Sequence, residues 1–225
     1  MKFVLVLVEG PTEEGFVRHV LSPHLQLRGI VATPKTVETS ENPYGPNFKG
    51  GVTSYQQVRY ELLGLLRDTS VVLVTTMLDY FELPKTFPGY DELPAGSCYE
   101  RVAFLEQRFQ VDIGHQRFLS YLSLHEFEAL LFASPEQIDA EFSKAEKLSE
   151  LREIMAAFKS PEEINNEDPP GKRLEALYPG EMGVYRAYKK KTDGPLIAGQ
   201  IGLATIRAQC RHFDEWLTRL ETLGD

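Results

Sequence analysis

Cysteine is nearly absent from this 225-residue chain: Cys98 and Cys210 are its two cysteines, far apart in sequence and without a C-x-x-C spacing. That usage speaks against a disulfide framework and against a structural zinc site. No apolar run approaches the roughly 18 residues of a membrane span, so no membrane association is expected. The apolar stretch at the start is short, Glu9 closes it, and no small-residue cleavage site follows, so a signal peptide is not expected and a cytoplasmic location is. There is no G-x-x-x-x-G-K-[ST] loop for P-loop ATP hydrolysis and no G-x-S-x-G elbow for a serine hydrolase. His125-Glu126-Phe127-Glu128-Ala129 is not the zinc-protease motif, because Ala129 stands where its second histidine belongs. Basic excess is missing too. A net charge of −9 excludes a broadly basic protein that coats nucleic acid, but not a nuclease whose metal site adds negative charge.

What is present suits an ordinary globular chain, with 42% hydrophobic and 25% charged residues. The length allows one α/β domain with a small helical addition. Charge is distributed unevenly. Residues 134–168 hold 10 acidic and 4 basic side chains, whereas 172–191 hold 6 basic and 2 acidic. A local basic strip is therefore expected in the second segment.

Residues 2–8 form a continuous apolar run, the signature of a strand buried on both faces of a parallel sheet. Gly10-Pro11 turns the chain into a helix, with Pro at a position where its missing N–H costs nothing. A second strand is expected over 30–39, a surface loop over 40–51, and a helix from Ser54 to about Arg67 opened by a Ser54/Gln57 capping box. The strongest strand runs from Val71 to Leu78 and ends at Asp79. A long irregular segment over 80–97, a helix over 99–109 and a strand over 118–124 complete the alternating pattern of an α/β domain with a mostly parallel sheet. After 134 the pattern changes to short capped helices, opened by Ser134-Pro135-Glu136-Gln137 and Ser160-Pro161-Glu162-Glu163. Residues 165–171 read as a loop, and 197–222 as a closing amphipathic helix or helix pair.

Three expected strands end in acidic or metal-competent residues: Glu9, then Asp79 with Glu82, then His125, Glu126 and Glu128. Ligands bind beyond the carboxyl ends of parallel strands. Together these residues form a candidate site for Mg²⁺ or Mn²⁺, which favour oxygen ligands and retain waters beside a phosphate. Each also has an ordinary structural reading. Glu13 and Glu14 suit the positive end of a helix dipole, Asp79 suits a turn, and His125 suits a hydrogen-bonded core position.

Glu9-Gly10-Pro11-Thr12-Glu13 after an apolar strand resembles the first motif of TOPRIM domains, the metal-binding fold of topoisomerases, primases and OLD-type nucleases. The chain more specifically resembles a family of uncharacterised bacterial TOPRIM-like proteins. The matching segments are Glu9 to Glu13, Asp79 to Pro84, His125 to Phe132, Lys172 to Leu174, and Ile201 to Trp216. The resemblance implies a TOPRIM-like α/β domain over 1–133, with a helical extension over 134–225 packed on it. It further implies a divalent-metal-dependent nuclease or phosphodiesterase. Metal ligands would come from Glu9, Asp79, His125, Glu126 and Glu128, and catalytic groups from Glu9, Glu13, Lys172 and Arg173. Lys172 and Arg173, with Lys189 to Lys191, would contact the backbone of a DNA or RNA partner. TOPRIM domains carry D-x-D after the second acidic strand, whereas this chain has Asp79-Tyr80-Phe81. Either Glu82, Glu126 or Glu128 replaces the second acid, or the site binds one metal, or the catalytic role has been lost; replacement from the His125 to Glu128 segment is the favoured reading. Two other readings stay open: a non-catalytic or conditionally active partner of an AAA- or ABC-type ATPase, and a small-molecule phosphotransfer enzyme.

Overall fold

The computed structural model describes residues 1–37, 52, 54–81, 83–165 and 167–224. β1 (Lys2–Val8) pairs in parallel with β2 (Ile30–Thr36) on one side and with β3 (Val71–Asp79) on the other. Two short strands, β4 (Phe118–Leu119) and β5 (Leu122–Ser123), extend the sheet beyond β3, again in parallel. The order is β2-β1-β3-β4, with β5 also paired to β3.

The period-2 alternation of a strand explains why β1 is apolar throughout. Val4, Val6 and Val8 enter one hydrophobic cluster with Phe16, Ile197 and Phe213. Leu5 and Leu7 face the opposite cluster, built with Val58, Leu62, Val102 and Phe109. Helices therefore cover both faces, giving the α/β class that the sequence pattern leads one to expect. One face carries α1 (Pro11–Phe16), a π-helical turn at Val17–Leu21 and α2 (Ser22–Gln26). The other carries α3 (Tyr55–Leu65) and α4 (Cys98–Ile113). The second half of the chain adds α5 (Pro135–Glu141), α6 (Leu148–Ala156), α7 (Pro170–Leu177), α8 (Lys190–Ile201), α9 (Leu203–Gln209) and α10 (Arg211–Glu221). Among the described residues no helix is long and apolar enough to cross a membrane.

Several local expectations need correction. The strand expected over 118–124 is interrupted, because the Thr76 hydroxyl takes the place of a ladder partner. It donates to the Tyr121 carbonyl at 2.7 Å and accepts the Tyr121 N–H at 3.0 Å. The Ser54/Gln57 capping box does not form, since Ser54 donates to Gln56 and Gln57 to Glu61. Ser134 does cap α5, accepting the Gln137 N–H, whereas Ser160 opens only a 3₁₀ turn at Pro161–Glu163. The loop expected to reach Gly171 stops at Pro169, the residue before α7. The closing segment is three helices starting at Lys190, separated by Gly202 (φ +78°) and Cys210. The expected strand end at 38–39, the loop over 40–51, and Glu82 lie outside the described residues.

The C-terminal helices share a core with the sheet. The Trp216 indole N–H of α10 donates to the Thr75 hydroxyl of β3 at 2.9 Å, and its ring stacks on Tyr121 at 4.4 Å. α8 packs on α1 where Gly15 meets Pro195, so closely that a Cβ at Gly15 would lie 2.8 Å from the proline Cγ. Proline cannot swing aside. A Gly15→Leu chain is therefore expected to lose about 1–3 kcal/mol by overpacking. Gly64 in α3 has nothing within 4 Å of its Cβ position, and Gly64→Ala is expected to gain about 0.5–1 kcal/mol from helix propensity. Urea unfolding midpoints measure both, and equal shifts of the same sign would contradict this account.

Candidate functional site

The parallel register brings the first two strand ends together. Val8 pairs with Met77, so Glu9 leaves the sheet beside Asp79, and its Oε2 accepts the Asp79 N–H at 3.1 Å. The third strand end arrives through a sharp turn. His125 adopts φ +63°, a left-handed conformation in which histidine is among the enriched non-glycine residues. Its carbonyl accepts the Phe81 N–H at 2.9 Å. The chain then enters a 3₁₀ helix at Phe127–Ala133, whose first N–H donates to Asp79 Oδ1 at 3.1 Å. That arch carries Glu126 and Glu128 to the same rim.

Glu13 joins them from the first turn of α1. Its Oε2 accepts the Gly10 N–H at 2.9 Å, and only 6% of the residue is exposed. The neighbouring Glu14 instead turns outward to Arg18 at 2.8 Å. The two adjacent glutamates thus divide the readings: Glu14 is a surface helix charge, and Glu13 belongs to the cluster.

The cation facing these carboxylates is Lys190, the first residue of α8. Its Nζ lies 3.3 Å from Glu126 Oε1 and 3.2 Å from Glu128 Oε2. The other Glu126 oxygen accepts the Gly171 N–H at 2.9 Å, from the first turn of α7. The other Glu128 oxygen accepts the Tyr188 hydroxyl at 3.5 Å. A Cβ at Gly171 would lie 2.5 Å from Lys190 Cε and 2.9 Å from Glu126 Oε2, so a larger residue there requires those side chains to shift.

Burial, and then the neighbouring charges, shift the protonation of three of these carboxyls and of the ammonium. Burial, and then the charges of Glu9, Glu13, Glu128 and Glu126, hold the Asp79 carboxyl well above the usual carboxylate range. Burial, reinforced by Glu9, pushes Glu13 up to about 7. Burial also pushes Glu128 up to about 7, with Lys190 opposing the shift and Glu126 adding to it. Burial works against the charge on Lys190, but Glu128, Glu126 and Asp79 outweigh it and raise its pKa.

Other sequence candidates lie differently. Lys172 and Arg173 sit in the first turn of α7. Arg173 is turned to Asp168, at 3.3 Å, and over the Phe158 ring. Lys172 is exposed, as are Lys189 and Lys191. The His125 ring is tilted against Tyr80 at 6.2 Å. Sequence reasoning grouped Lys190 with phosphate-binding lysines and missed its pairing to Glu126 and Glu128. One signal pointed there: lysine in the first turn of a helix opposes the helix dipole and calls for acidic neighbours.

Among the described residues no group of three or more His, Cys, Asp and Glu side chains is assembled as a metal centre. The donor chemistry nevertheless fits a hard divalent cation, since Glu9, Glu13, Asp79, Glu126 and Glu128 offer carboxylate oxygens on one rim.

The raised carboxyls make stability depend on pH. The folded chain keeps protons on Glu13 and Glu128 up to about pH 7, whereas their ordinary pKa is 4.5. The folded state therefore binds more protons across that window, and stability falls as pH rises from about 4.5 through about 7. Glu13→Gln is expected to reduce the loss between pH 5 and pH 8 by on the order of 2 kcal/mol. Urea unfolding at the two pH values provides the check, and parallel losses in both proteins would rule it out.

The solved C-terminal region of the Burkholderia pseudomallei OLD protein is similar to this chain, at 16% identity and a TM-score of 0.44, covering 98% of this chain and 99% of that one. No curated protein matches it. Residues 8–221 match the family described as a domain of unknown function, DUF4276, a span that includes every carboxylate of the cluster and Lys190. The chain belongs to that family.

Proposed function

We propose that this chain is a TOPRIM-like, divalent-metal-dependent phosphodiesterase acting on nucleic acid. The reading rests above all on the convergence of Glu9, Asp79, Glu126 and Glu128 from three strand ends onto one rim, where burial, and then the neighbouring carboxylates, raise the Asp79 carboxyl. The E-G-x-T-E and H-E-F-E-x-L-L-F segments that resemble TOPRIM-like proteins are the same segments that supply Glu9, Glu126 and Glu128. In this reading Glu9 and Asp79, with Glu126 or Glu128, would hold Mg²⁺ or Mn²⁺, which would supply Lewis-acid polarisation of a phosphoryl oxygen and a more acidic water.

The chain's own residues supply the rest. Glu13 is buried beside Glu9, and in the metal-free chain burial, reinforced by Glu9, raises its carboxyl to about 7. It can take a proton from an attacking water or give one to a leaving oxygen, as a general base or acid near the working pH should. The Gly10 N–H holds one of its oxygens in place. The exposed Lys172, Lys189 and Lys191 flank the two helix starts that face Glu126 and Glu128. They suit the phosphate backbone on either side of the scissile group, a contact that orients without reading sequence.

The decisive experiment measures Mn²⁺-dependent cleavage of DNA and RNA by Asp79→Asn and Glu9→Gln chains. Each is expected to lose roughly 10²-fold or more in rate, because either change removes a carboxylate that would hold the ion. Cleavage that survives both changes rules the site out. Replacing Lys189 and Lys191 by alanine is expected to weaken substrate binding similarly for all sequences. It should also reduce the salt slope of binding by about one for each phosphate that is no longer neutralised. An unchanged salt slope would remove these lysines from the interface.

A further inference from the structure

Resting on the metal reading above, we propose that Lys190 is a resident counter-cation that occupies the carboxylate cluster and that a divalent ion must displace in order to bind. The four oxygens of Glu126 and Glu128 all have partners: the Gly171 N–H, the Tyr188 hydroxyl, and the Lys190 ammonium twice. Only the ammonium among these partners carries a charge. A divalent ion held by the Glu126 and Glu128 oxygens that face Lys190 would have to share them with the ammonium, and like charges in a poorly solvated cleft repel strongly.

The fold gives Lys190 somewhere to go. Its side chain is 37% exposed and begins at the N-terminal residue of α8. Gly171 leaves the space through which its stem reaches the cluster. In the metal-free chain the ammonium offsets part of the carboxylate repulsion. When the ion arrives, it takes over that role and the lysine turns to water. The pairing thereby weakens metal affinity in return for a stable metal-free fold.

The test measures Mn²⁺ binding by the electron paramagnetic resonance signal of free Mn²⁺, for the full chain and for Lys190→Gln and Lys190→Arg. Lys190→Gln is expected to bind Mn²⁺ about tenfold tighter or more, and Lys190→Arg, which keeps the charge, within about threefold of the parent. Mn²⁺ binding by the parent that Lys190→Gln leaves unchanged or weaker overturns this inference alone. No binding by the parent or by Lys190→Gln overturns the metal reading and this inference with it. Amine labelling of the unaltered protein, followed by mass spectrometry, supplies a readout that needs no variant. Labelling of Lys190 is expected to rise severalfold on adding Mn²⁺, and a constant or falling level overturns the displacement.

Discussion

Carboxylates brought together at the end of a parallel sheet repel one another, and the rest of this structure is arranged around that repulsion. Main-chain N–H groups offset part of it: Gly10 serves Glu13, Asp79 serves Glu9, Phe127 serves Asp79, and Gly171 serves Glu126. The Lys190 ammonium supplies the one full positive charge that ion-pairs with Glu126 and Glu128 among the described residues. Hydrogen bonds to ionised groups are stronger than neutral ones, yet they leave Glu13, Asp79 and Glu128 with raised pKa values. The cluster is a place where charge is held under stress, the condition that commonly marks functional sites.

The stress is carried by elements far apart in the chain. β1 and β3 bring Glu9 and Asp79, the arch after β5 brings Glu126 and Glu128, and the starts of α7 and α8 bring Gly171 and Lys190. Packing away from the rim keeps β3 in place. Thr75 accepts from Trp216 on one side, while Thr76 exchanges two hydrogen bonds with Tyr121. Tyr121 and Trp216 stack on each other, which couples the two anchors. Gly15 lets α8 lie directly on α1, so the helix that carries Lys190 is docked on the helix that carries Glu13.

Much of this was legible in the residues alone, for identifiable reasons. A continuous apolar run such as 2–8 or 71–78 has few solutions other than a strand covered on both faces. An acid directly after such a run falls at the carboxyl edge, so Glu9 and Asp79 were recognisable. His125 to Glu128 followed the same logic, although the strand before them proved discontinuous. The failures share a cause as well. Thr76 standing in for a ladder partner, Ser54 bonding to Gln56, and Arg173 turning to Asp168 are choices among competing side-chain partners. Local sequence does not rank such choices, because their energies depend on what the fold brings nearby.

The division between the two levels is clearest at Glu13, Glu14 and Lys190. By itself the sequence determined β1, β3, the starts of α1 and α5, and the carboxylates that follow the two long strands, because hydrophobic periodicity and capping chemistry act over a few residues. It could not separate Glu13 from Glu14, which share a helix turn and a composition. It also could not single out Lys190 within a run of three lysines. Tertiary structure decided both, by burying Glu13 against Glu9 and Asp79 while leaving Glu14 to Arg18, and by seating α8 so that one lysine faces Glu126 and Glu128. Electrostatic interaction between groups more than 60 residues apart depends on distance and desolvation, and only the folded chain sets those.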